Sequence, residues 1–343
     1  PSTANSEYLE LKRLIAQKGL LNKTPLYYVH KLIVTLTLLG LSLALVAIID
    51  NFWLQLVNAV FLAFVFGQLA FIGHDAGHHQ VFRRARRNEL LGLGFNLLLA
   101  VSRSWWVDKH NRHHSNPNDL DLDPDVDFPI LAFSEEQVYT KRGIPRLIVK
   151  YQAFFLFPLM LFEALNIRIN SVMFLVRSGR KARYLYTESI FIALHLVLYV
   201  AFLAYFLGPL QGVAFFLVHQ AVFGLYMGLS FAPNHKGMPM VNNMDFLHQQ
   251  VITSRNLLPS RLTDFLFGQL ACQIEHHLFP NMPRKNLRQA QKIVKAFCQE
   301  RAISYHETGF FRSYQEILQH MHAIGAPLRA SSGATGATPP VSP

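Results

Sequence analysis

Leu32–Ile49 reads LIVTLTLLGLSLALVAII, and after Asp50-Asn51 the run Phe52–Ile72 reads FWLQLVNAVFLAFVFGQLAFI. Neither run contains a charged residue. As a helix rising 1.5 Å per residue, the first spans about 27 Å, close to the hydrocarbon thickness of a bilayer. Two such runs joined by two polar residues predict a transmembrane hairpin. Residue 73 then emerges on the side where residue 31 began. A second pair of runs repeats the pattern: Ser189–Leu207 and Gln211–Phe231 flank Gly208-Pro209, a tight-turn dipeptide.

Composition agrees with this reading. The 343-residue chain is 51% hydrophobic and only 15% charged, where soluble chains carry roughly 25% charged residues. The net charge of +11 would suit nucleic acid, but the placement of the charges argues otherwise. All 32 Lys and Arg lie in residues 1–31, 83–183 or from 236 onward, and none lies in either hairpin. By the positive-inside rule these three regions are cytoplasmic, and the basic excess reads as orientation and lipid contact. The first apolar run is too late and too long for a signal-peptide core. Cys272 and Cys298 form no disulfide framework, which suits a reducing compartment.

The expected fold is therefore an all-α integral membrane unit. Four transmembrane helices span about 32–49, 52–72, 189–207 and 211–231, with both termini cytoplasmic. Residues 1–31 form an amphipathic cytosolic segment, 32–323 the main domain, and 324–343, rich in Ala, Gly, Ser, Thr and Pro, a disordered tail. Two shorter apolar runs, about Leu90–Val101 and Ala153–Leu165, are too short to span and read as interfacial or re-entrant helices. Pro158 should kink the second. The polar segments between the spans should form a histidine-rich cap.

Histidines recur in that cap at helical spacing. His74 and His78 stand at i, i+4 directly after the second run, and His110, His113 and His114 at i, i+3, i+4. His235 follows the fourth run, and Gln273, His276 and His277 repeat the second spacing with Gln in the first place. Residues so spaced share one helix face. A solvated polar face would explain one such box, but all of them fall on one side of the predicted membrane. Eight imidazoles exceed a four-coordinate structural zinc site and suit two metal ions with open positions. Spacing alone leaves iron and zinc both open.

With these boxes the chain resembles the membrane fatty acid desaturases. The resemblance runs through HDAGH (74–78), HNRHH (110–114) with the following Asn116-Pro117-Asn118 and Asp121–Asp125, Asn234-His235, and QIEHH (273–277) with Leu278-Phe279-Pro280, covering about residues 25–310. It implies O2-dependent removal of two hydrogens from a fatty acyl chain at a non-haem di-iron centre. The implied ligands are His74, His78, His110, His113, His114, His235, His276 and His277, with Gln273 as a weak or water-mediated one. Asp75, Asp108, Asp121, Asp123, Asp125 and Glu275 would then orient the rings by hydrogen bonds. The Gln in the third box is similar to front-end and some bacterial desaturases. The former often carry a fused cytochrome b5 domain with an HPGG motif, which is absent from these residues. An external electron donor is thus expected: a ferredoxin, a flavin/iron–sulfur reductase or cytochrome b5. The expected substrate is a membrane lipid or acyl-CoA, the expected location a bacterial cell membrane, and no nucleic-acid partner is expected.

Other readings stay open beside this one. The nearest is an acyl or sphingolipid hydroxylase on the same scaffold; more distant are a zinc-dependent membrane hydrolase and a non-catalytic metal-binding membrane protein. Trp105, Trp106 and His219 are candidates for lining a substrate tunnel. Against this, the tryptophans could anchor the interface, and His219, inside a span, could make an interhelical hydrogen bond. His79 stands about 100° off the face of its box and reads as a surface group. Arg83, Arg84, Arg86 and Arg87 read as headgroup contacts. The alternating acids from Asp119 to Asp127 lack the Gly and closing Glu of a calcium loop, since Pro124 and Ile130 stand there.

Overall fold

A computed structural model describes residues 3–179 and 182–333. The chain is mostly helical. A short α1 (Thr3–Gln17) precedes α2 (Pro25–Ile48) and α3 (Phe52–Gly77), which form the first hairpin. Next come α4 (Ala85–Leu99), α5 (Arg103–Ser115), α6 (Glu135–Thr140), α7 (Gly143–Lys150), α8 (Gln152–Met160) and α9 (Glu163–Ser178). The long α10 (Leu185–His235) leads into α11 (Phe246–Ile252), α12 (Arg261–Leu266), α13 (Gln273–Leu278), α14 (Leu287–Glu300), α15 (Phe310–Ile324) and α16 (Ala326–Gly333). Two short strands, β1 (Asn256–Leu257) and β2 (Glu307–Thr308), pair in parallel.

The first hairpin forms where the sequence places it. Pro25 opens α2, where its missing N–H costs nothing. The Asn51 side chain accepts from the Leu54 N–H (3.0 Å) and so caps α3. Buried polar groups lock the two helices together. Ser42 donates to Asn58 (2.8 Å), and Gln55 donates to the carbonyls of Val46 (3.0 Å) and Ile49 (2.7 Å) at the end of α2. At 26 residues α3 exceeds the hydrocarbon thickness, so its last turns emerge carrying His74.

α10 folds back on itself. Gly208 sits at φ 71°, ψ 171°, a conformation that glycine adopts without steric cost. The arms pack closely on either side: the Tyr199 hydroxyl and His219 Nδ1 share a hydrogen bond (2.5 Å), and a Cβ at Gly212 would lie 3.3 Å from the Leu203 carbonyl oxygen. Among the described residues, three helices, α2, α3 and α10, are long and apolar enough to cross a membrane, or up to five if each bent pair counts as one span. The bent pairs are α4 with α5, at 111°, and α8 with α9, at 74°. They contain the two short apolar runs. Pro158 lies inside α8, two residues before its end.

Two cores result. One lies among α2, α3, α4 and both arms of α10, around Leu62, Phe66, Leu69, Phe223 and Met227. The other joins α1 to α11, α13 and α14, around Leu11, Ile15, Val251, Ile274, Leu278 and Val294. The C-terminal segment departs from expectation. Where disorder is expected from residue 324, Ala326–Gly333 is helical, and Leu328 is buried against Ala132, Val138 and Val149. Burial of that one leucine, together with good helix formers such as Ala326, outweighs the tail-like composition. The expectation for residues 334–343 lies outside the described residues.

Candidate metal centre

Four elements end at one point. α3 delivers His74 and His78, α5 delivers His110, His113 and His114, α10 ends on His235, and α13 carries Gln273, His276 and His277. The ligand atoms of His74, His78, His110 and His276 lie within 4.8 Å of one another. Those of His113, His235 and His277 form a second such group. His114 lies between them: its Nε2 is 3.1 Å from His110 Nε2, and its ring stacks on His277 with centroids 4.0 Å apart. Each HxxHH-type box straddles both groups. His110 serves the first and His113 the second; His276 serves the first, while His277 and Gln273 face the second, with Gln273 Nε2 3.0 Å from His235 Nε2.

The ring tautomers follow from the partners of Nδ1. His113 donates to the Asp123 carboxylate (2.9 Å), His235 to the Thr253 carbonyl (3.0 Å), His277 to Gln250 Oε1 (2.8 Å) and His74 to Asp75 (3.1 Å). Carboxylates and carbonyls only accept, so these Nδ1 atoms carry the protons and the Nε2 lone pairs face inward. Three such lone pairs then oppose one another: His113 and His235 Nε2 are 3.3 Å apart, His235 and His277 Nε2 3.0 Å. Without a cation that arrangement is repulsive. Two nitrogens each about 2.1 Å from one ion, at about a right angle, stand ~3.0 Å apart, which matches. His78 Nε2, both nitrogens of His276, His114 Nδ1 and Gln273 Oε1 are buried without a hydrogen-bond partner among the described residues. Buried polar atoms are rarely left so, and a metal bond would satisfy His78 Nε2 and one nitrogen of the His276 ring. The residues present fit a pair of metal ions.

Electrostatics favour the ligand form. Burial, and then the neighbouring imidazoles, hold His110, His114, His276 and His277 well below the ordinary histidine range. Neutral imidazole is the form that binds metal.

The acidic candidates divide. Asp75 and Asp123 each accept from a ring Nδ1. Asp75 also pairs with Arg284 Nε (2.7 Å), both side chains being buried. Asp123 also accepts from the backbone N–H groups of Asn118 and Asp125 (both 2.8 Å). Asp125 pairs with Lys109 and stands 3.6 Å from His113 Nδ1. Asp108 and Asp121 do not reach the rings. Asp108 is exposed and pairs with Arg112 one turn on (3.1 Å), and Asp121 is exposed with its N–H bound to Asp119. Glu275 is buried but accepts from Asn256 (2.8 Å) and Tyr305 (2.8 Å) rather than from a histidine, and burial pushes its pKa up to about 7. It braces α13 from behind. Replacing Asp123 by Asn should lower metal affinity about 10- to 100-fold, as loss of a ligand-orienting carboxylate does. Metal content after dialysis against a graded chelator checks this.

The tunnel candidates also separate. Trp106 walls the first group: its ring stacks on His110 at 4.3 Å and meets His74 and His78 edge-on at 5.4 and 5.6 Å. Trp105 is half-buried beside it. His219 is 16 residues before His235, about 24 Å along a helix, where it joins the arms of α10. Gly77 explains how Trp106 fits, since a Cβ there would lie 2.0 Å from Trp106 Cζ3. Gly77→Ala should therefore displace the indole, destabilise the fold by about 1–3 kcal/mol and weaken metal retention. Thermal unfolding and metal analysis of the purified variant read both.

Several contributors carry no sequence signal. Gln250 and Thr253, at the end of α11, and Arg284, acting through Asp75, belong to no box yet set the rings, while Asn256 and Tyr305 hold Glu275 behind α13.

Comparison with known proteins adds to this geometry. A family model described as "Fatty acid desaturase" matches residues 51–309. The acyl-lipid (9-3)-desaturase of Physcomitrium patens is 28% identical over 327 residues, covering 93% of this chain and 62% of that protein. The Delta(8)-fatty-acid desaturase of Euglena gracilis is 29% identical over 315 residues, 88% of this chain and 74% of the relative. The Delta(6)-fatty-acid desaturase fat-3 of Caenorhabditis elegans is 30% identical over 348 residues, 94% and 76%. The chain thus spans about three-fifths to three-quarters of these relatives, which are eukaryotic.

Proposed function

This chain belongs to the fatty acid desaturase family, and on that premise we propose that it converts adjacent methylenes of a fatty acyl chain into a double bond. Balanced, CH2–CH2 with O2, two electrons and two protons gives CH=CH and two waters. The observation that carries the reading is the convergence of inward-facing imidazole nitrogens in two adjacent buried groups. His74, His78, His110 and His276 would hold one iron, and His113, His235 and His277 the other, with His114 between and Gln273 beside the second. Bound there, the two irons would activate O2 and supply the oxidising power that takes hydrogen from an acyl carbon.

The chain's own residues prepare that chemistry. Asp75, Asp123, Gln250 and the Thr253 carbonyl keep the Nδ1 protons in place and free Nε2. Burial of the cluster excludes bulk water, and Trp106 closes one side. Four spans are the reading we favour, because α10 doubles back at Gly208. The lack of Lys and Arg in either hairpin supports a cytoplasmic cap. The substrate would be an acyl-lipid or acyl-CoA. The electrons would come from a ferredoxin, a flavin/iron–sulfur reductase or cytochrome b5. The relatives are named for the Δ6, Δ8 and (9-3) positions, and with Gln273 opening the third box they support a front-end position.

Expression in a host lacking such an activity, followed by fatty-acid profiling with double-bond localisation, tests this. A new product two hydrogens lighter than a host acid is expected. A product one oxygen heavier would make the enzyme a hydroxylase, and an unchanged profile in cells containing the iron-loaded protein would reject both.

A further inference from the structure

A second feature lies behind α13. A cleft of about 690 Å³ opens between α12, α14 and β2, lined in part by Arg261, Asp264, Arg288, Lys292, Lys295 and Glu307. Arg288, Lys292 and Lys295 stand at i, i+4, i+7 on one face of α14. Asp264 holds Arg288 by two oxygens (3.0 and 3.2 Å to Nε), and Glu307 holds Lys295 (2.6 Å). Arg261 and Lys292 are exposed and pair with no carboxylate among the described residues. Four cations thus face two carboxylates, and the surplus charge is unpartnered.

An apolar ridge runs beside the cleft. Leu258, Leu262 and Phe265 are exposed on or next to α12. α12 rests on a spanning helix: the Phe265 ring lies 5.6 Å from Phe64, and Gln68 donates to the Phe265 carbonyl (3.3 Å). Phe64 and Gln68 precede His74 by ten and six residues, about 15 and 9 Å along α3. The ridge therefore lies against the half of that span nearer the histidines, with the cations beside it. The floor of the cleft touches the third box. Arg288 donates to the Leu257 carbonyl (3.4 Å), whose N–H donates to Ala271 (2.9 Å), and the Cys272 thiol faces Gln291 (3.9 Å) one residue before Gln273.

We propose that this cleft binds the phosphate-bearing headgroup of the acyl substrate while its chain lies over the α12 ridge. The inference rests on the acyl reading above and adds where the carrier is held. A concave basic site of ligand size beside a lipid-facing apolar edge matches a phosphate-headed amphiphile. A protein partner needs a broader surface, about 800 Å² a side. Phosphate on a lipid headgroup and phosphate on a soluble thioester carrier share this chemistry.

Equilibrium binding to the detergent-purified full chain separates the two sources. The probes are stearoyl-CoA and stearoyl-lysophosphatidylcholine, with methyl stearate as the phosphate-free control. The R261E/K292E variant should bind at least one phosphate probe about tenfold or more weakly, as loss of charge-assisted phosphate contacts requires, and methyl stearate as wild type does. Loss confined to stearoyl-CoA assigns the cleft to a soluble carrier, and loss with the lysolipid assigns it to a lipid headgroup. Unchanged binding of both overturns the proposal. So does an equal loss with methyl stearate, or in K285E, an exposed cation outside the cleft. Binding is read without turnover, so an inactive wild type would count against the desaturase reading and leave this result standing.

Discussion

Alanine in place of His276 is expected to abolish the olefinic product and to remove close to half of the bound iron. The ring is fully buried and neither nitrogen has a hydrogen-bond partner among the described residues. In a purely structural role that would be a poor use of a histidine: an unsatisfied buried polar group costs about 1–3 kcal/mol. Removing it relieves that cost, and the small cavity left behind offsets the relief. The metal-free variant should therefore melt close to the metal-free wild type while failing to retain iron. Fatty-acid profiling, metal analysis and thermal unfolding after chelation read the three parts. A variant that keeps full iron content and product would remove His276 from the ligand set. A variant that loses activity only because it unfolds would make the ring structural.

The second large effect concerns Arg284. Its guanidinium is buried against the Asp75 carboxylate, which also accepts from His74 Nδ1. Nη1 donates to the Gly268 carbonyl (3.0 Å), and the Arg284 backbone N–H donates to Tyr28 (3.1 Å) and Gln80 (3.1 Å). Arg284→Ala strands a buried carboxylate, for which about 3–5 kcal/mol of destabilisation is expected. The pair itself is less valuable than that figure suggests, because desolvation offsets most of its attraction. The double variant D75N/R284M should accordingly regain much of the lost stability. It should not regain metal affinity, since an amide holds the His74 proton less firmly than a carboxylate does; about 10- to 100-fold weaker binding is expected. Chemical denaturation and metal titration of the two variants separate these effects. Equal stability of the single and double variants would contradict the account.

What the sequence reveals here depends on the range of the interaction. Spans and boxes are local patterns: apolar length for α2 and α3, i, i+3, i+4 spacing for the histidines. Both hairpins and the convergence of the boxes were legible from them. The partners of the rings are not local. Asp121 and Asp123 look alike in an alternating acidic run, and only the turn capped by Asp119 aims one of them at His113. Asp108 is nearest in sequence to the second box, yet the α5 face it occupies points outward to Arg112. Gln250, Thr253 and Arg284 come from turns and a short helix with no periodic signal. The C-terminal helix α16 depends on one leucine finding a buried site, which composition does not report.

The straddling boxes have a consequence for how the chain holds together. His74 and His276 are about 200 residues apart, and bringing such distant segments together carries a closure entropy that grows only slowly with length. Ions bound across α3, α5, α10 and α13 would act as cross-links in a cyclised chain. Each would remove freedom from the opened state, as a disulfide does over a long loop. Because each HxxHH-type box feeds both groups, one ion already tethers the helix that presents ligands to the other. Loading should be cooperative, and the cap should resist proteolysis far better when both sites are filled than when one is.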